Sequence, residues 1–302
     1  MKEESTVFCT MVRSERGAGF ASLLLKSLRR FGGEYHDAPF WIFETDPAQS
    51  NCALAADAHT QLFPLRVPPE MQKVFFGDKV ASCANAEEMA RAQKVRSLVF
   101  VDPVFLFVAP PKLLDLGEEF DAAFRPVHMQ NVGIAPELPL NGYWQGILDV
   151  AGLSDISSTV HTFVEGKTIR SYFNTHVFSM NPEKGLCEQW LEKLSSLSMD
   201  KDFQTQFVSE QREKIFQFQA LLAALVVGKI SPERLRILPP SYSYPYNLHS
   251  SVPEVKKPRT LEELVCFTYE QRSIHPDEVQ DVRFGETLEK WLRKELGAAQ
   301  SD

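Results

Sequence analysis

The sequence predicts an α/β fold: a mostly parallel central sheet between two layers of helices, with mixed additions in its second half. Three observations carry this. Residues 98–108 read LVFVDPVFLFV, an apolar, β-branched and aromatic run of the kind that forms a strand buried on both faces. Before it, strand-like and helix-like stretches alternate from residue 5 onward, which predicts parallel strands joined by right-handed crossovers. After Pro110-Pro111 the strict alternation ends. The result is a Rossmann-like three-layer α/β/α sandwich.

Taken in order, 5–12 (STVFCTMV) is the first strand. A polar loop, Arg13-Ser14-Glu15-Arg16-Gly17, leads into a helix on which Phe20, Leu23, Leu24, Leu28 and Phe31 share a face, ended by Gly32-Gly33. Residues 39–43 form the second strand, 53–58 a short helix, 61–67 the third strand and 84–95 a helix that delivers the chain to 98–108. In the second half, 120–127 holds a strand and 140–151 a helix. The runs 160–164 and 168–171 make a hairpin across Glu165-Gly166-Lys167, and 175–180 is another strand. A helix at 182–197 starts on Pro182; 215–227 is an apolar helix stopped by Gly228. Then come a strand at 234–238, an aromatic loop with Tyr242, Tyr244 and Tyr246, a strand at 264–269 and an amphipathic helix at 286–296. With no repeat or linker in sight, one domain over 1–302 is expected. It divides into a first half (5–127), a mixed second half (128–270) and a C-terminal helix and tail (271–302).

The 302 residues suffice for a sizeable core. A formal charge of −8 argues against a general nucleic-acid binder or an anionic-membrane binder. Cys9, Cys52, Cys83, Cys187 and Cys266 are odd in number and form no CxxC, so neither a disulfide framework nor a zinc site is indicated, and a cytoplasmic location is expected. No apolar run approaches the ~18 residues of a membrane span, and Met1-Lys2-Glu3-Glu4 gives no cleavable leader. RGAGF at 16–20 lacks the third glycine of a dinucleotide loop and reads as a helix entry; no GxxxxGK[ST] loop is present.

Asp102 is the focus of the site. It closes the apolar strand at its carboxyl end, where open α/β sheets place ligands, unless it only caps the turn made with Pro103. Arg13 and Arg16 follow the first strand at the same end, and arginine suits a diphosphate because its planar fork donates two hydrogen bonds at once; the alternative is a solvated loop. Lys94, Arg125 and Arg170 are further cationic candidates, Lys94 also being placed to complement a helix dipole. Tyr143 and Trp144 either stack on an acceptor or fill the core. Asp121, Glu137 and Asp149 compete as a base, and no spacing favours one.

Three motifs in order carry a resemblance: LVFVD with Asp102-Pro103-Val104, YFNTHVFSMNPEKGLCEQW, and FQFQALLAAL followed by RLRILPPSYSYP. Together they resemble the nucleotide-diphospho-sugar transferases of the glycosyltransferase A type, over roughly residues 5–270, about the size of such a domain. The resemblance implies a nucleotide-sugar donor and an acceptor the sequence does not name. It also implies Mn or Mg held by a DxD motif, the cation offsetting charge on the departing diphosphate. Here the first acid is Asp102 and the second position is Val104, a degenerate DxD; the family's Asp-Gln pair becomes Phe218-Gln219, and a glycine becomes His176. The donor-binding candidates are Arg13, Arg16, Lys94, Asp102, Asn174 and Gln219; the metal candidates are Asp102 and His249. Two functions follow: a transferase, metal-independent if side-chain cations replace the ion, or a fold retained as a binding or scaffold protein.

Overall fold

The computed structural model describes residues 5–54 and 56–298. The reading of residues 1–4 as leader-free, and the last four residues of the tail, lie outside them. Strand β1 (Thr6–Val12) runs into helix α1 (Glu15–Phe31), followed by β2 (Phe40–Glu44), the single turn α2 (Pro47–Ser50), β3 (Thr60–Pro64), α3 (Gly77–Ala92) and β4 (Ser97–Val101). These four strands are parallel, in the spatial order β3-β2-β1-β4. Alternation along β1 divides its side chains between two cores. Val7, Cys9 and Met11 face the side packed by α3, and Phe8 and Val12 face the side packed by α1, where Leu24 and Leu28 meet them. Helix α1 starts on Ser14, whose hydroxyl accepts from the Gly17 amide, and ends with Arg29 and Arg30 in its last turn, where cations complement the helix dipole.

The expected strand at 98–108 is two strands. Pro103 cannot donate to a ladder, and the chain leaves the main sheet there. It continues as β5 (Phe105–Phe107), which belongs to a separate three-stranded sheet. The second half supplies β6 (Ala122–Pro126), α4 (Gly142–Ala151), the hairpin β7 (Thr159–His161) and β8 (Thr168–Arg170), and β9 (Phe173–Met180). Helices α5 (Leu186–Met199), α6 (Lys201–Phe207) and α7 (Gln211–Lys229) follow, then β10 (Leu235–Ile237), β11 (Tyr244–Pro245), β12 (Cys266–Thr268) and α8 (Glu286–Ala298). The completed sheet has seven strands in the order β10-β6-β9-β4-β1-β2-β3, with β9 antiparallel to both its neighbours. It is the mostly parallel, three-layer α/β sandwich that the residue pattern predicts.

Several element ends differ from the pattern. Helix α3 begins at Gly77, ahead of the expected 84, because a run of small residues lets it pack on several sides at once; Val80, Ala81, Ala84, Ala86 and Ala90 are all buried. Residues 182–197 do not start as one helix: a 3₁₀ turn (Pro182–Lys184) ends on Gly185 in the left-handed region before α5 begins. Since α5 has no capping side chain of its own, buried Glu87 of α3 accepts from the amides of Leu186 and Glu188 at 2.8 and 2.9 Å. Burial pushes its carboxyl up to about 7. Gly228 does not stop α7, which runs on to Lys229 with Gly228 against the Leu153 side chain. The expected helix at 53–58 reduces to a 3₁₀ turn (Cys52–Leu54), and its remainder includes a residue outside those described. All five cysteines are free and buried, and among the described residues no helix is long and apolar enough to cross a membrane.

Candidate functional site

Two chain features bring Asp102 to a cleft. It follows β4 directly, at the carboxyl end of the parallel strands, and β9 runs beside it in the opposite sense. Val101 pairs with Val177, so Asp102 lies opposite His176, and its amide donates to the His176 carbonyl at 2.8 Å. A cleft of about 600 Å³ opens here, lined among others by Arg13, Arg16, Lys79, Asp102, His176 and Glu270.

The partner of Asp102 is a residue that the sequence reading did not single out. Lys79, only 3% exposed, places its Nζ 2.8 and 2.9 Å from the two oxygens of Asp102 and 3.4 Å from the Thr175 hydroxyl. Its stem lies against aromatic faces, with Nζ 5.1 Å from the centre of Phe100 and 6.0 Å from that of Phe218. Lys79 sits in the first turn of α3, where a cation opposes the helix dipole; the ion pair, not helix formation, accounts for its position. The turn that delivers it is tight. Phe76 has φ 60°, and a Cβ on Gly77 would stand 2.1 Å from the Met71 carbonyl oxygen, so only glycine fits there. The sequence marks Lys79 only weakly: it adjoins Asp78 and precedes VASCANA, a run of small residues without charge.

The cleft is completed by a second pair. Glu270, just after β12, reaches His176 Nε2 at 3.3 Å, and the Tyr269 amide ties that segment to the Val104 carbonyl at 3.1 Å. Burial, with Lys79 nearby, holds the His176 imidazole down to about 4 against the pull of Asp102; burial and Asp102 raise the Glu270 carboxyl. On the opposite wall Arg13 forms a two-pronged pair with Asp78 and lies 5.8 Å from the Phe76 ring. Arg16 rests over Phe20 at 5.4 Å and has neither an ion pair nor a hydrogen bond among the described residues.

Of the predicted site residues, the fold thus gathers Arg13, Arg16 and Asp102. It does not gather the others. Lys94 and Asp121 lie with Ser5, Arg96 and Arg234 at the amino ends of the strands, across the sheet from the cleft. There Asp121 is buried and bound by Arg234, Lys184 and Asn181, which hold its carboxyl far below the usual range, so it is structural and not a base. Asn174 is buried, and its side-chain oxygen accepts from the His176 amide at 2.8 Å, a local turn bond. Gln219 is buried in α7 and does not line the cleft; its neighbour Phe218 instead stacks on Trp190 at 5.9 Å. His249 is also outside the lining, its Nδ1 bonded to the Tyr244 hydroxyl at 2.8 Å.

Arg170 clamps Asp155 and the carbonyls of Ile156, Pro136 and Leu138. Tyr143 and Trp144 are core: the indole donates to the Val132 carbonyl at 2.6 Å and the phenol to the Glu213 carbonyl at 3.4 Å. Glu137 and Asp149 do not line the cleft, and Asp149 accepts from Gln145 at 2.9 Å. Arg125 lines a different cavity.

The residues present do not fit manganese or magnesium. A hard dication needs several oxygen ligands. Val104 supplies none, both oxygens of Asp102 are taken by Lys79, and no group of three or more His, Cys, Asp or Glu able to hold a metal occurs among the described residues. What the cleft has in place of an ion is a fixed ammonium.

No family model matches the sequence, and no curated protein does. Solved structures do. An active-site mutant of LgtC superposes with a TM-score of 0.51 at 13% identity, covering 97% of this chain and 95% of that one. A galactosyltransferase LgtC complex with donor and acceptor sugar analogues gives 0.49 at 12% identity with the same coverage. The first likeness shows the fold: this chain has the glycosyltransferase A type architecture that LgtC has.

Proposed function

We propose that the cleft binds a nucleoside diphosphate sugar, with cationic side chains meeting its diphosphate and no divalent ion. The observation that carries this reading is the Lys79–Asp102 pair standing in the cleft with Arg16, a guanidinium that has no ion pair or hydrogen bond among the described residues. Arg16 donates to a phosphate through its fork, and the positive end of α1, which begins beside it at Glu15, adds to the attraction. The fold shared with LgtC supports the placement of the ligand at this end of the sheet.

The test is thermal stability in EDTA with UDP, GDP and ADP in turn. At least one should raise Tm, addition of Mn²⁺ should not increase the effect, and Arg16→Ala should diminish it. A ligand at 100 times its Kd adds about 2.7 kcal/mol, well within reach of the measurement. If none of the three stabilises the protein in EDTA, the reading fails.

A second reading, a scaffold that binds without transferring, is favoured by one observation: Arg13 is neutralised by Asp78 and Lys79 by Asp102. Release of nucleoside diphosphate from a bound UDP-sugar, measured with and without added sugar acceptors, separates the two. Turnover rejects the scaffold.

A further inference from the structure

On the far side of the sheet edge, between the β7–β8 hairpin and β10, lies a second cavity of about 660 Å³ that shares no lining residue with the cleft. One wall is apolar, formed by Val227, Ile230, Leu235, Leu238, Pro239 and Pro240. The other presents two cations, Arg125 and Lys256, and no carboxylate among the described residues lines the cavity. In a chain of net charge −8, a hollow with only positive charge is a selective feature.

Arg125 is the unusual member. It is 5% exposed, it has no carboxylate and no hydrogen bond among the described residues, and its only specific contact is the Phe163 ring at 5.3 Å. A guanidinium carries five donors and keeps its charge, and buried charges are ordinarily paired. The strand is built to direct it out of the ladder. Pairing of β6 with β9 runs Phe124 to Phe178 and then shifts to Pro126 with Phe173, so Arg125 falls in the irregularity, and bulges re-aim side chains. Most of the other polar side chains of the cavity are already engaged. Ser158 and Ser171 bond each other at 2.7 Å, Thr162 accepts from the Lys167 amide, His161 meets Thr168, and Lys256 donates to the Phe163 carbonyl at 2.7 Å. Burial alone lowers the Arg125 guanidinium to about 10, and neighbouring His128, buried with both ring nitrogens unpartnered, is held neutral by burial first and by Arg125. Nothing among the described residues supplies the anion.

We infer that this cavity is a binding site for an anionic amphiphile, a carboxylate or phosphate monoester on an apolar body, whose head pairs with Arg125 and whose body lies on the Val227–Leu238–Pro240 wall. A volume of this size takes a drug-sized ligand, and the arrangement of few polar groups on an apolar lining fixes which end goes where. Arginine's fork matches both head groups, and Lys256 adds a second positive charge on the same ring, 5.4 Å from its centre.

Decanoate, decyl phosphate and decanol, each below its micelle concentration, test this by calorimetric titration of the full chain. One of the two anions should bind at least tenfold more tightly than decanol, and which one does separates a carboxylate from a phosphate ligand. Arg125→Met should abolish the tenfold preference while leaving the weak binding of decanol. Ile237→Trp, at an exposed residue of the rim, should weaken all three by filling the mouth; it serves equally if the Arg125 variant fails to fold. The inference is overturned if neither anion outbinds decanol, if the preference survives Arg125→Met, or if Ile237→Trp leaves anion binding unchanged.

Discussion

The ammonium of Lys79 and the carboxylate of Asp102 meet at 2.8 and 2.9 Å, joining the first turn of α3 to the end of β4 across 23 positions of sequence. The pair ties two elements of the fold together and occupies both oxygens of Asp102. Each partner is intelligible only through the other. Lys79 is buried, and Asp102 is half-buried.

Removing one partner leaves the other as an uncompensated charge, which for buried pairs costs about 3–5 kcal/mol; Asp102 keeps some contact with solvent, so the lower end applies. Lys79→Met and Asp102→Asn should therefore each destabilise the protein by about 3 kcal/mol in urea unfolding. The double variant Lys79→Met/Asp102→Leu should recover most of that loss. Additive single-variant losses would show that the two groups do not act as a pair.

The same geometry predicts how to install an ion. Lys79→Ser with Val104→Asp frees Asp102 and adds a second acid two residues on, so Mn²⁺ should raise Tm in that variant and leave the parent unchanged. A manganese-dependent rise in the parent would show that Lys79 does not keep a dication from Asp102.

His176 makes stability depend on pH. Its folded value, about 4, lies below the unfolded reference of about 6.5. In acid the unfolded chain takes up the proton first, so the contribution is present above about 6.5 and is lost as pH falls toward 4. The shift corresponds to on the order of 2–3 kcal/mol for a side chain that is a quarter exposed. Glu87, raised to about 7, acts with the opposite sign in an overlapping range: its contribution is present below its unfolded value and is lost as pH rises through 7. The measurement is therefore the difference between wild type and His176→Asn, in which Glu87 cancels. That difference should shrink between pH 6.5 and 4; a flat difference would refute the buried neutral imidazole.

Two glycines in helices should respond oppositely to one substitution. In α1 a Cβ on Gly19 meets nothing within 4 Å, so Gly19→Ala should stabilise by about 0.5–1 kcal/mol through helix propensity. In α4 a Cβ on Gly146 would stand 2.3 Å from the Phe203 ring of α6. Overpacking costs about 1–3 kcal/mol, so Gly146→Ala should be neutral to destabilising in spite of the same propensity gain. Denaturant midpoints of the two variants read the contrast directly.

The alternation of elements, the parallel first half and the carboxyl-end position of Asp102 were all legible in the residue pattern, because hydrophobic periodicity is local. The break of LVFVDPVFLFV into β4 and β5 was half legible. Pro103 marks it, but that β5 joins β12 in another sheet depends on a strand about 160 positions away. The aromatic pair Tyr143 and Trp144 illustrates the converse: residue type allowed acceptor stacking, while the distant Val132 and Glu213 carbonyls made both residues core. His249 and Lys94 failed to reach the cleft for the same kind of reason. Distance along a sheet, and which end of a strand a loop occupies, are properties of the assembled fold.

What the sequence determined by itself was the layered α/β architecture and one carboxylate at the carboxyl end of its central strand, since burial period and proline placement are written in neighbouring residues. Only the tertiary structure decided what that carboxylate does. An ion pair forms between side chains brought together by a crossover, and its worth depends on the water excluded around it, so Lys79 acquires its role from α3 packing over β4. The same holds for Arg125, whose lack of a carboxylate among the described residues becomes visible only once the segments around it are in place.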